Sequence, residues 1–423
     1  MQLSKPQSIR RSLSLATCTL LHAHGQAALA QETPDQDTWD IDSAVMIYAE
    51  SDERVSLIES VVKASTEIKD DEYFSVQIVL DALTGATPNG ATASSQVQTF
   101  TSPSGEKTYT VDPGDLPLDS TFRDTRAAVN ASWDRPINRL TRIIWGLNAS
   151  KEYDYLSLGA SATLTRDFNE RNTTLTAGLG FNADTIDPVG GKPMGLSTMA
   201  QQQKEGSDDK TVTDLLLGIT QVIDRATLMQ FNYSYGDSSG YLNDPYKIVS
   251  EIDHVTGLPT GTYYFEQRPD SRVRQALYWK TVHHLTEDVI NVSYRYYWDD
   301  WDISSHTLDL KYRYELGDGA YLQPRLRYYT QTAADFYRHS LPDNEALPEH
   351  VSADYRLGEF TGTTLGLKYG RPVGQDSEFS MRIEYIQQNG DSNPGDAIGD
   401  QKNQDLYPSL DAIVLQASYS LRW

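Results

Sequence analysis

Cysteine is almost missing from this chain: of 423 residues only Cys18 is one. It lies in an opening where Lys5, Arg10 and Arg11 form a basic region and Leu13 to Ala23 a short apolar stretch. Ala28-Leu29-Ala30 then supplies a small-residue cleavage site. Residues 1–30 therefore read as a secretory signal peptide, and cleavage before Gln31 leaves no disulfide, thiolate nucleophile or cysteine-ligated metal. Long apolar runs are also lacking. After residue 30 no segment approaches the roughly 18 residues a membrane helix needs, so a membrane-resident chain would have to be a closed barrel. Basic charge is scarce, with 36 Lys and Arg against 59 Asp and Glu and a net charge of -23. That balance argues against nucleic acid as a partner, because phosphate binding needs clustered Lys and Arg. Histidine is scarce as well, numbering 8.

What the chain does have is alternation. Ile290, Val292, Tyr294, Tyr296 and Trp298 fall on one face of an extended segment, with Asn291, Ser293, Arg295 and Tyr297 on the other. Leu308, Leu310, Tyr312, Tyr314 and Leu316 alternate in the same way with Asp309, Lys311, Arg313 and Glu315. Residues 39–50 through 409–423 divide into about sixteen such strands. Every second connection is short, as at Lys69–Asp71, Asp224-Arg225 and Gly317-Asp318. The intervening ones include the long polar stretches 85–120, 186–209, 239–270, 334–356 and 390–408. Short turns at one end and long loops at the other are the pattern of an outer-membrane barrel. Residues 31–423 are accordingly expected to form one all-β, transmembrane, antiparallel up-and-down barrel. Tyrosines and tryptophans collect at strand ends, where rings suit the bilayer interfaces. The last strand ends with Tyr419, Leu421 and Trp423 on its apolar face, resembling the sorting signal read by barrel-insertion machinery.

Once a membrane is assumed, charge fixes the phase of the strands. A Lys or Arg facing lipid at mid-bilayer costs roughly 2–4 kcal/mol, so Arg295, Asp309, Lys311, Arg313, Arg325 and Arg327 are candidates for the lumen wall. If the Gly317-Asp318-Gly319 turn sets the register, Lys311 lies opposite Arg325 and Asp309 opposite Arg327. Opposed like charges are destabilising, so something must offset the Lys311–Arg325 pair. One reading is a porin-like wall whose field orders anionic solutes. The other is a solvated ladder in which Asp309, Glu315, Glu59 and Asp81 neutralise the arginines. The Pro- and Gly-rich loop 85–120 could fold inward and set Glu106, Asp112, Asp115 and Asp119 against the basic stripe, or could simply cover the mouth.

Several further segments carry a family resemblance: Leu80–Ala86, Asn89-Gly90-Ala91, Lys151–Ser157, Asp167–Thr173, Ser239–Lys247, Arg268–Arg272, Ser293–Asp302, Ala333–Arg338 and Ala353–Arg356. In these the chain resembles the DUF3570 outer-membrane proteins of Gram-negative bacteria, a family without an agreed function. The resemblance implies a barrel and an outer-membrane location, and no site residues follow from it.

Catalytic chemistry finds little support. H-E-x-x-H and phosphate-cradling glycine loops are absent. His306 after Ser304-Ser305, His339-Ser340 and His283-His284 lack companions for a triad or a metal site. Acidic groups at Asp299, Asp300 and Asp302, at Asp208 and Asp209, and at Asp391, Asp396, Asp400 and Asp405 could attract Ca²⁺, but without EF-hand spacing. The expected function is a channel or porin-like pore for small solutes, anionic ones among them. A scaffold or binding barrel for another envelope protein is the alternative, and an outer-membrane hydrolase a more distant one. No cofactor is expected, and the expected surroundings are outer-membrane lipid and lipopolysaccharide.

Overall fold

A computed structural model describes residues 38–51, 54–101, 108–119 and 123–423. The signal peptide expected at 1–30 lies outside the described residues. The chain forms a closed antiparallel barrel of sixteen strands. In chain order the first eight are β1 (Trp39–Glu50), β2 (Ser56–Lys69), β3 (Glu72–Thr84), β4 (Arg123–Asn138), β5 (Thr141–Lys151), β6 (Tyr155–Phe168), β7 (Thr173–Ile186) and β8 (Asp208–Val222). The rest are β9 (Thr227–Gly240), β10 (Ser271–His284), β11 (Val289–Asp299), β12 (Ser304–Gly317), β13 (Ala320–Gln331), β14 (Phe360–Pro372), β15 (Ser377–Gly390) and β16 (Leu410–Arg422). Each strand pairs with its sequence neighbours, and β16 returns to β1 with Ser43 opposite Tyr419. Reciprocal backbone bonds of 2.7 and 2.8 Å between Trp39 and Trp423 finish the seam.

Period two explains both faces. Ile47, Leu80, Leu147, Leu179, Leu277 and Leu365 point outward and stay exposed, Leu147 at 66%. In water this girdle would be an aggregation surface; in lipid it is the solvated face. No helix among the described residues is long and apolar enough to cross a membrane. The inner face of β5–β9 is built from small polar residues. Gly159 lies between Asn148 and Asn182, whose side chains bond at 3.1 Å, and a Cβ at Gly159 would come within 2.4 Å of both amide oxygens.

At one end the turns are tight. Asp71, Asn169, Glu170, Arg171 and Asp318 take left-handed conformations there, as do Gly317 and Gly319 on either side of Asp318. Strand limits agree with the alternation to within a few residues, and the departures have local causes. β5 starts at Thr141 because Arg139 and Leu140 form the turn, with Asn138 Oδ1 accepting from the Leu140 amide at 3.0 Å. β14 starts at Phe360 because Tyr355–Leu357 is a 3-10 turn capped by Asp354.

Candidate functional site

At the other end the five long loops join into one cap. Residues 248–252 pair antiparallel with 259–265 and parallel with 340–342, giving a small sheet contributed by two loops. Loop 85–122 packs Phe100 on Tyr263, with ring centroids 4.9 Å apart, within a buried cluster that includes Val111, Ile248 and Phe265. The 187–207 loop is tied on by 3.0 Å backbone bonds between Leu196 and Phe265 and between Phe265 and Ser197. Loop 391–409 joins through Gln401, which donates to Ser340 Oγ at 2.9 Å and Thr92 Oγ1 at 3.4 Å. These loops are rooted at separate points around the rim, so their contacts run across the outer mouth.

A buried ion network holds the cap together. Arg268 bridges Glu266, at 2.7 Å, and Asp354, at 2.9 Å. Arg356 bonds Asp354 at 2.5 Å and Asp244 at 2.6 Å. Lys247 donates to the Pro88 carbonyl, and Ser352 to Glu266. Glu266 and Asp354 are 2% and 1% exposed, so both carboxylates need their partners. Burial opposes charge on Asp354, but Arg356 and Arg268 outweigh it and hold the carboxyl well below the usual range. Asp244 is lowered in the same way, burial being outweighed by Arg356 and Lys247. Glu266 goes the other way: burial pushes it up and Arg268 offsets only part of that. Most segments that carry the family resemblance meet in this cap: Asp244 and Lys247, Arg268, Trp301, Phe336, and Asp354 with Arg356. Asp167–Thr173 is an exception, at the opposite end of the barrel.

Below the cap the inner wall is polarised. On β10–β15 the rows of the sheet can be followed residue by residue. One row runs Lys280, Ser293, Asp309, Arg327. The next runs Asn291, Lys311, Arg325, Gly366, Glu384. Lys368 lies directly opposite Arg382 in the row after that. Arg295 and Arg313 extend the same face of β11 and β12. The Lys311–Arg325 and Asp309–Arg327 registers are those implied by the Gly317–Gly319 turn.

Neutralisation in this sector is incomplete. Arg325 takes Asp309 at 2.5 Å and Glu384 at 2.9 Å, and Arg313 takes Glu315. Arg382 reaches Glu384 at 3.6 Å and donates to Gln416. Among the described residues no carboxylate pairs with Lys280, Arg295, Lys311, Arg327 or Lys368. Arg295 and Arg327 instead lie over Tyr297 and Tyr329. On the remaining wall, Lys63 aside, cations are paired: Arg126 with Asp81 and Glu59, Arg142 with Asp134 and Asp71, Lys210 with Asp184, and Arg422 with Asp40. Glu59 and Asp81, considered above as partners for the arginine stripe, thus serve Arg126 instead. Alternation on 377–389 would also have placed Arg382 and Glu384 inside; Lys280 and Lys368 needed the register of their neighbours.

The other candidates separate. Asp112 and Asp115 of loop 85–122 are exposed and form no ion pair with the basic sector among the described residues, while Glu106 lies outside them. His306 points outward, bonded to Tyr294 at 2.6 Å, and His283 bonds Thr227 at 2.9 Å at the inner rim. His339 packs on Tyr337 inside the cap. Asp299 is taken up by Arg272, Tyr297 and the amides of Trp301 and Ile303. The one group with metal-ligand spacing among the described residues is Asp253, His254 and Asp343 on the cap surface, where His254 and Asp343 already bond at 2.7 Å. At the C-terminus Tyr419 faces outward on β16, and Trp423 is exposed beside the seam.

Comparison with known proteins gives a family and a set of barrels. A family profile described as "Protein of unknown function (DUF3570)" matches residues 10–421. No curated protein sequence matches significantly. Among solved structures the chain is similar to a bacterial polysaccharide outer membrane secretin, at 8% identity and TM-score 0.45, covering 92% of this chain and 99% of that one. It is also similar to the outer membrane protein opdK from Pseudomonas aeruginosa, at 9% identity and TM-score 0.39, covering 91% and 99%. A third is the siderophore receptor PirA from Acinetobacter baumannii, at 10% identity and TM-score 0.42, covering 83% and 53%.

Proposed function

The chain belongs to the DUF3570 family, and from its inner wall we propose that it is an outer-membrane channel selective for small anionic solutes. One observation carries the reading: Lys280, Arg295, Lys311, Arg327 and Lys368 share a sector of the lumen with no carboxylate on any of them among the described residues. A lumen that only needed wetting would pair its cations, as the facing wall does for all but Lys63. Unpaired cations on neighbouring strands repel one another, and mobile anions are what relieve that repulsion in a water-filled barrel. The cap then decides which solutes reach the sector. We assign no catalytic role. Export through the signal at 1–30 and sorting through Tyr419, Leu421 and Trp423 belong to the same proposal, as does contact with outer-membrane lipid and lipopolysaccharide.

A second reading, a binding barrel for another envelope protein, draws on the cap, whose loops form one packed body with a large outer surface. Single-channel recording of the refolded full chain across a KCl gradient separates the two. Stepwise currents with a reversal potential on the anion side support the channel. A correctly folded barrel that never conducts overturns it and moves the function to the cap.

A further inference from the structure

The two places where cations oppose each other across neighbouring strands are resolved in the same way. Lys311 faces Arg325 and Lys368 faces Arg382. In both pairs the arginine takes the carboxylate, Asp309 with Glu384 in the first and Glu384 in the second. In both pairs the lysine forms no ion pair among the described residues. Lys280, in the row beside Lys311, is a third ammonium with no ion pair among the described residues. Lys280 and Lys368 stand in the rows on either side of that of Lys311, with Asp309 within electrostatic reach of Lys280 and Glu378 of Lys368. The three stand on β10, β12 and β14, past the middle of each strand as it runs from the cap toward the tight turns. Between Lys311 and Lys368 the side chains of Glu384 and Arg325 pack over Gly366, where a Cβ would meet Glu384 Cγ at 3.0 Å and Arg325 Cβ at 3.3 Å.

We propose that Lys280, Lys311 and Lys368, with Arg327 beside them, form a saturable lumen site for a compact anion of the diphosphate type. This deepens the channel reading and rests on it for the route by which the anion arrives. The chemistry follows from which cations are left over. The guanidinium of Arg325, whose planar fork suits a carboxylate, is already occupied, and the free groups are mostly ammoniums. These act as point charges and suit the tetrahedral oxygens of a phosphoryl group. A singly charged ion can satisfy one ammonium at a time. An anion with two charged ends linked at short range engages neighbouring rows together, and the second contact is made at high effective concentration.

The test uses the detergent-folded full chain and titration calorimetry with inorganic pyrophosphate, at constant ionic strength set by KCl. Saturable one-to-one binding is expected, weakened at least tenfold in Lys311→Gln and again in Lys311→Gln/Lys368→Gln. A thermal melt shows whether each variant remains folded. No saturable pyrophosphate heat from the wild-type barrel overturns the site, as does binding that survives the double substitution. Citrate bound as tightly as pyrophosphate overturns the phosphoryl assignment. Because calorimetry needs no current, these results are separable from the channel itself. A conducting barrel without pyrophosphate binding loses the site and keeps the channel; a silent barrel that binds pyrophosphate keeps the site and loses the channel.

Discussion

At the scale of residues, the cap network makes the sharpest demands. Replacing Asp354 with Ala leaves the mostly buried Arg268 short of an acceptor and takes one partner from the exposed Arg356, a loss of about 3–5 kcal/mol for a broken buried pair. The effect should stay in the cap: protease cleavage within 241–270 and 332–359 is expected to accelerate while the strands remain protected. The pH response follows from opposite shifts. Asp354 and Asp244 are depressed, so their stabilisation is present above the unfolded carboxylate value of about 4 and is lost only as pH falls through their lower folded values. Glu266 is raised, so its charged form carries a penalty that acidification lifts between its folded value and the ordinary one. Hydrogen exchange of the Ser352–Arg356 amides is therefore expected to be no faster at pH 5 than at pH 7, and to rise steeply only below the usual carboxylate range. Gly90 gives an independent check: its φ is +95°, and a Cβ would lie 2.3 Å from the Ile248 carbonyl oxygen. Gly90→Ala should loosen the same loops, at about 1–3 kcal/mol for strain of this kind.

At the scale of elements, the strands and the loops were not equally legible. A strand declares itself locally, because lipid on one side and water on the other impose period two. The register of β12 with β13 was legible for the same reason, since a short turn fixes which residues face each other. The cap depends on contacts far apart in sequence, such as Gln401 with Thr92, so no local pattern in 85–120 or 390–408 announces it. The acids of loop 85–120 illustrate the difference: their charge was visible, but their placement depended on what Phe100 and Val111 pack against. Trp301 tests how much the joint between rim and cap matters. It packs edge-on to Phe336 at 5.1 Å, under Arg272 at 4.2 Å, and donates to the Ser271 carbonyl. Trp301→Ala should cost the cap about 3–5 kcal/mol, read as earlier cap melting by hydrogen exchange with the barrel transition unmoved.

At the scale of the whole molecule, an acidic protein carries a basic sector within it, and selectivity should follow the sector. Arg325→Glu is a poor probe, because it would place a third carboxylate beside Asp309 and Glu384. Lys311→Glu with Arg327→Glu reverses two unpaired charges instead. At about 1 kcal/mol per unit charge at 4 Å in water, the double reversal should move the reversal potential across zero to the cation side. Wild-type anion preference should fade as salt rises, because the screening length drops from about 10 Å at 0.1 M to about 3 Å at 1 M.

The seam between β1 and β16 sets the order in which this molecule can come into being. Ser43 donates to the Tyr419 carbonyl across 376 positions of sequence. Until that contact forms, two unpaired strand edges face their surroundings, and such edges invite pairing with other chains. The slow step in assembly is thus expected to be ring closure by the last strand synthesised, since pairings this distant are the slowest to find. The cap, whose loops come from both sides of the seam, can consolidate only afterwards: the barrel is the template on which its own lid is built.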